Sequence, residues 1–241
     1  MLDRRYSTLL FDLDGTLIQY DEAQSYAVSR ALEDMAAGGD KALVERVMTL
    51  VEGEDVQDIE ACRPGWEQAG SERMKDVFRE LGIDLPAEEF LERYFTAMGD
   101  HGVPLTGVEE MLHEVSPDRK LGVVSNGLGP VQRKRLQKAG LMQYLDLLVL
   151  SCEAGFAKPD PSILRLAMKL SGSTPEDTLF IGDSTTSDMG AAGAAGMDFV
   201  YIDPSGEFTA DGPRILEIRS SAELKEHLLP ARKVDPAGDS F

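Results

Sequence analysis

The chain has 241 residues, 42% hydrophobic and 28% charged, the balance of a folded globular protein with room for one large domain or a core carrying a smaller one. Its formal net charge is -19, which argues against nucleic-acid polymers and anionic membranes, since both are held by clustered lysine and arginine. A small anionic substrate stays open, because one bound cation and one lysine reverse the local field of a site.

In chain order, the first element is a strand over Thr8–Phe11. The preceding Met1-Leu2-Asp3-Arg4-Arg5-Tyr6 has no apolar segment behind its arginines, because Leu9-Leu10-Phe11 stops at Asp12. No apolar run approaches the roughly 20 residues of a membrane span. The cysteines, Cys62 and Cys152, form no CxxC pair. Together these features predict a soluble cytoplasmic protein with free, buried thiols.

Residues 21–100 show no strand pattern. Amphipathic periodicity predicts helices over Asp21–Met35, Lys41–Val51, Ser71–Leu81 and Pro86–Met98. From about 107 onward, short apolar runs at Leu121–Val124, Leu147–Leu150, Thr178–Ile181, Phe199–Ile202 and Ile215–Ile218 alternate with helical patterns over 130–139, 161–171 and 187–195. Near-continuous apolar runs suit parallel strands covered on both faces. The expected fold is α/β: a doubly wound parallel sheet, Rossmann-like, built from residues 1–17 and 105–229, with an all-helical insertion over 18–104. Leu17–Tyr20 and Gly99–Thr106 are the expected hinges, and 230–241 is an expected mobile tail.

Ligands of such sheets bind beyond the carboxyl ends of the strands. Polar groups stand after four of the runs: Asp12-Leu13-Asp14-Gly15-Thr16, Ser125-Asn126-Gly127, Ala157-Lys158-Pro159 and Gly182-Asp183 with Asp188. Asp12 and Asp14, two residues apart at a strand end, are expected to face one spot. With Asp183 they repel unless a cation intervenes, and magnesium is the hard, oxygen-seeking choice. The Ser125 hydroxyl and the Asn126 N–H suit a phosphate oxygen. The Lys158 ammonium would neutralise a carboxylate and a phosphate together. Each segment alone also suits a turn, a helix cap or a solvated lysine; the set of four, each at the end of its own strand, outweighs those readings. Arg133-Lys134-Arg135 reads as a solvated helix face, and His101, His113 and His227 show no ligand spacing.

These segments, in order, resemble the four motifs of the haloacid dehalogenase-like superfamily of phosphohydrolases over roughly residues 7–220. The helical insertion resembles the cap of the subgroup that holds phosphoglycolate phosphatases, phosphomutases and nucleotidases. The resemblance implies Asp12 as nucleophile and aspartyl-phosphate carrier, Asp14 as general acid and base, and Ser125, Asn126 and Lys158 as the phosphate site. It also implies magnesium held by Asp12, the Asp14 carbonyl and Asp183, with Asp188 supporting. The substrate is then a small phosphorylated metabolite. The stretches Leu17–Ala23 and Ser125–Gly127, followed by Gln132, Arg135-Leu136 and Gly140-Leu141, are similar to the pyrimidine 5'-nucleotidase branch, with serine where that branch usually has threonine. A nucleoside 5'-monophosphate is therefore the expected substrate, with Tyr20 and Trp66 as candidate walls for its base. A sugar-phosphate or phosphoglycolate phosphatase, a phosphomutase, and a silent binding protein are the competing readings.

Overall fold

The computed structural model describes residues 6–38, 40–51, 65–206 and 215–228. Six parallel strands form one sheet in the order β3-β2-β1-β4-β5-β6: β1 Thr8–Phe11, β2 Lys120–Ser125, β3 Leu147–Leu150, β4 Thr178–Gly182, β5 Asp198–Ile202 and β6 Ile215–Ile218. All six lie where the apolar runs predict them. Their composition follows from double burial. Alternate residues of β1 point to opposite faces: Leu9 and Phe11 join one core with Val123, Ile181 and Leu112, while Leu10 joins the other with Phe180, Ile163 and Ala191. Because both faces are dry, alternation with polar residues is absent.

The order places the switch point at the centre of the sheet. From β1 the chain winds outward through β2 and β3, then restarts beside β1 at β4 and winds the other way. Connections on the two sides diverge there and leave a crevice beyond the carboxyl ends of β1 and β4. Phe11 is in register with both Val123 and Ile181. Asp12, the end of β2 and the end of β4 thus arrive at one level.

Helices α1 Asp21–Asp34, α2 Lys41–Val51, α3 Trp66–Leu81 and α4 Ala87–Asp100 follow β1. They share their own apolar cluster, which includes Val28, Leu32, Val44, Val47, Phe78 and Phe90. Phe78 and Phe90 meet edge-to-face, with centroids 5.2 Å apart. Helix α3 starts at Trp66 and not at the expected Ser71; Gly70, a poor helix former buried inside it, masks the first turn in the sequence. The remaining helices are α5 Val108–Val115, α6 Gly129–Lys138, α7 Ser151–Ala154, α8 Ser162–Ser171, α9 Asp188–Ala195 and α10 Ser221–Leu228. Helix α4 packs on both α1 and α6.

The two connections between the sheet and helices α1–α4 run side by side. Gln19 N donates to Val103 O and Leu105 N to Leu17 O, both at 2.9 Å. Gly102 lies against α6 so closely that a Cβ would stand 2.1 Å from the Arg135 carbonyl oxygen. Cys152, in α7, is disulfide-bonded, which corrects the expectation of a free thiol there: the lack of a CxxC pair speaks only to pairing between near neighbours in the chain. Cys62 and the expected tail over 230–241 lie outside the described residues. No described helix is long and apolar enough to cross a membrane.

Candidate active site

The site begins where β1 stops. Asp12 N still donates to Ile181 O at 2.8 Å, so this residue is fixed at the sheet edge. The chain then folds back, with Leu17 N and Ile18 N both donating to Leu13 O, at 2.9 and 3.0 Å. Gly15 turns it at φ 76°. A Cβ at Gly15 would stand 2.0 Å from Asp183 Oδ2, so this turn and the approach of β4 both require glycine.

Asp12, Asp183 and Asp188 bring carboxylate oxygens within 4.8 Å of one another. Lys158, reaching in from the loop before α8, pairs with Asp12 and lies 2.7 Å from Asp188 Oδ1. Its backbone is clamped by Asn126, whose Nδ2 donates to Lys158 O at 3.1 Å while its Oδ1 accepts from Lys158 N at 2.9 Å. Ser125, 1% exposed, donates its hydroxyl to the Asn126 carbonyl at 3.0 Å and accepts from Gln132 Nε2 at 3.2 Å. Asp188 Oδ2 accepts from Ser184 N at 3.1 Å at the start of α9, and Thr16 Oγ1 donates to Asp183 Oδ1 at 3.4 Å.

The charges do not balance. Three carboxylates share one ammonium in a largely buried crevice. Burial pushes the Asp12 carboxyl well above the ordinary carboxylate range, against the pull of Lys158 and with added push from Asp188 and Asp183. Burial, then Asp188, pushes Asp183 up to about 6. Desolvation would lower Lys158, but Asp12 and Asp188 outweigh it and hold the ammonium protonated. Asp188 Oδ1 is a buried oxygen whose close partner is the Lys158 ammonium at 2.7 Å, shared with Asp12. A crowded, all-oxygen set in which three carboxylates share a single ammonium fits a hard divalent cation such as magnesium.

Asp14 behaves differently from Asp12. The strand has ended before it, so the same-side geometry of a strand does not carry over, and its carboxylate is outside the three-carboxylate cluster. It pairs with Arg135 and accepts from Gln132 Nε2 at 2.7 Å. Only its main-chain carbonyl is then left to serve a metal. Arg135 corrects the sequence expectation of a solvated basic face: it is 0% exposed, whereas Arg133 and Lys134 point outward to Glu153 and Asp100. The signal was the helical period, which puts Gln132, Arg135 and Leu136 on one buried stripe of α6.

A cavity of about 480 Å³ opens above these groups. Asp12, Asp14, Ser125, Asn126, Lys158, Asp183 and Asp188 line its floor, and helices α1–α4 supply an opposing wall that includes Met48, Met74, Phe90, Tyr94 and Phe95. Tyr20 lines it and holds Gln24 Nε2 through its hydroxyl at 2.7 Å. Trp66, the other candidate wall, is not among the lining residues; it packs edge-on against Phe95 with centroids 5.8 Å apart. A larger groove of about 720 Å³ runs between α1 and α4, lined by charged residues such as Arg30, Glu89 and Arg93, and shares none of the residues above.

A family profile for haloacid dehalogenase-like hydrolases matches residues 9–202. The pyrimidine 5'-nucleotidase PynA of Streptococcus pneumoniae is 26% identical over 201 residues, covering 83% of this chain and 84% of that protein. A phosphoserine phosphatase of Thermus thermophilus is 30% identical over 228 residues, covering 81% and 88%. Among solved structures, the HAD-hydrolase YfnB of Bacillus subtilis, bound to magnesium and described as revealing interdomain movement, superposes with a TM-score of 0.82 at 25% identity. That match covers 93% of this chain and 99% of that one.

Proposed function

The chain belongs to the haloacid dehalogenase-like hydrolases and is a phosphatase of that family, and on that premise we propose that it hydrolyses nucleoside 5'-monophosphates, pyrimidine ones above all, through an aspartyl-phosphate on Asp12. The observation that carries the mechanism is the Asp12 carboxylate, held by buried Lys158 beside two more carboxylates at the floor of a cavity whose far wall is apolar.

In this reading an Asp12 oxygen attacks phosphorus. The new O–P bond forms as the ester P–O bond breaks, the electron pair leaves with the ester oxygen, and Asp14 gives that oxygen a proton. Water then attacks the aspartyl-phosphate, Asp14 takes up its proton, and phosphate departs with Asp12 restored. Lys158, the Ser125 hydroxyl and the Asn126 N–H hold the transferring group. Magnesium, held by Asp12, the Asp14 carbonyl and Asp183 with Asp188 behind, would neutralise the phosphate oxygens; the magnesium in the Bacillus relative supports this.

Residues 18–104 act as a cap on the core of 1–17 and 105–229, closing over bound substrate to exclude water. Tyr20, Tyr94 and Phe95 offer flat surfaces for a nucleobase, and the pneumococcal relative is named for pyrimidine nucleotides. A panel of phosphorylated metabolites, phosphoserine, phosphoglycolate and hexose phosphates included, tests the assignment by phosphate release. Uridine or thymidine monophosphate should show the highest kcat/KM. Another class winning by tenfold or more rejects the nucleotide assignment, and isomerisation without phosphate release means a phosphomutase.

A further inference from the structure

We infer that Arg135 is the positioning residue for Asp14, and that it ties the aim of that carboxylate to both connections between the sheet and helices α1–α4. The inference rests on the reading above, in which Asp14 moves the proton.

Arg135 sits on α6 with 0% exposure. A guanidinium taken out of water is costly, and hydrophobic packing serves a fold at least as well. Its presence therefore asks what the fork holds. The fork meets four acceptors on four different residues. It pairs with Asp14 Oδ1 and reaches Gln132 Oε1 at 3.2 Å. Its Nη2 donates to Gln19 O at 3.0 Å, on the connection leaving the sheet, and its Nε donates to His101 O at 3.2 Å, on the connection returning to it.

The second Asp14 oxygen is held by Gln132 Nε2 at 2.7 Å, and that same amide lies 3.2 Å from Ser125 Oγ and 3.2 Å from Asn126 O. Asp14 thus has both oxygens gripped by two side chains one turn apart on α6, and the Gln132 grip also touches the predicted phosphate-binding serine. Lysine cannot replace this: a point charge on a flexible stem does not fill acceptors spread in the plane of a fork. A displaced Arg135 leaves Asp14 with half its restraint, and either connection can displace it.

The test separates aim from folding by the leaving group. A nucleotide leaves as an alkoxide that needs a proton, whereas 2,4-dinitrophenol leaves as a stable anion. The measure is kcat/KM, which covers the steps up to loss of that group. Arg135→Met should lower kcat/KM on the best alkyl phosphate of the panel by about 100-fold, the scale of a lost general acid, and on 2,4-dinitrophenyl phosphate by less than about threefold. In an Asp14→Asn background the same change should add less than about twofold, as expected for residues acting as one unit.

Equal losses on the two substrates, or losses that multiply in the double variant, overturn the inference. Arg135→Lys, which keeps a buried charge, carries the same comparisons if the methionine variant does not fold. A crystal structure of either variant gives a readout independent of turnover: Asp14 should leave its present position, and an unmoved Asp14 overturns the inference whatever the activity. Absence of magnesium-dependent phosphate release from the wild-type chain would instead reject the mechanism, and the crystal structures would still decide what Arg135 does.

Discussion

Asp183→Asn should make the metal-free protein more stable while removing its response to magnesium. Asp183 is mostly buried, and burial with the neighbouring Asp188 raises it from 3.8 to about 6. The folded state therefore binds this proton more tightly than the unfolded chain does. Ionised Asp183 destabilises the fold at neutral pH, and the cost fades as pH falls through about 6 toward the unfolded value. At about 1.36 kcal/mol per unit the shift corresponds to about 3 kcal/mol, and water penetration brings a realistic figure to about 1.5–3 kcal/mol. Asparagine keeps the shape and an oxygen that can still accept from Thr16. For a chain of this size the gain corresponds to a Tm rise of about 3–10 °C. The assay is thermal unfolding at pH 7.5 in EDTA, repeated with saturating magnesium. The variant should melt higher in EDTA, and the gap should close on titration toward pH 4. Magnesium at about 100 Kd should stabilise the wild type by about 2.7 kcal/mol and the variant by far less. A variant no more stable than wild type in EDTA at pH 7.5 would refute the argument from carboxylate crowding.

Asp12→Asn should abolish turnover with the fold intact by circular dichroism, and turnover within tenfold of wild type would sink the covalent step. Activity should vanish in EDTA and return with magnesium, and titration calorimetry should show Asp183→Ala weakening metal binding more than Asp188→Ala, because Asp188 is engaged by Lys158 and Ser184 N; the reverse order would reassign the ligands. Gly102→Ala, whose Cβ would collide with the Arg135 carbonyl, should reproduce the leaving-group-selective loss of Arg135→Met in a weaker form, and equal losses on alkyl and aryl phosphates would break the proposed link between the returning connection and Asp14.

The sheet was legible because burial on both faces writes itself as uninterrupted apolar runs. Each of the six strands, down to short β6, was visible that way. Helix α3 was only partly legible, since Gly70 interrupts the pattern that continues back to Trp66. Side-chain company was harder. Nothing local says that Lys158 reaches Asp12 across 146 positions of chain; only the order of the strand ends and the likeness to a family suggested it. Asp12 and Asp14 line one cavity floor, as their spacing predicts, but the strand does not continue past Phe11, and the Asp14 carboxylate stays outside the three-carboxylate cluster and pairs with Arg135. Trp66 is the single tryptophan, yet rarity of a residue type carries no information on which surface it covers, and this one packs on Phe95 without lining the cavity itself.

Arg135 shows what kind of information was missing. A run of basic residues averages to a solvated face, but a helix of period 3.6 sorts consecutive residues onto different faces, and Leu136 marks the one that goes inward. Its burial also resolves the electrostatics of the Asp-x-Asp pair. Two carboxylates this close along the chain would each raise the cost of ionising the other. The two buried cations among the described residues are Lys158 and Arg135, and each takes one member of the pair: Lys158 takes Asp12, Arg135 takes Asp14. The carboxylate given the point charge stands beside Asp183 and Asp188, where a second cation and a phosphate would meet. The one given the planar fork is tied through it to Gln19 and His101, on the two connections between the sheet and helices α1–α4. A protein with net charge -19 can thus receive a doubly charged phosphate, because the charges that matter are the few it has buried, and those are arranged by residue and not by total.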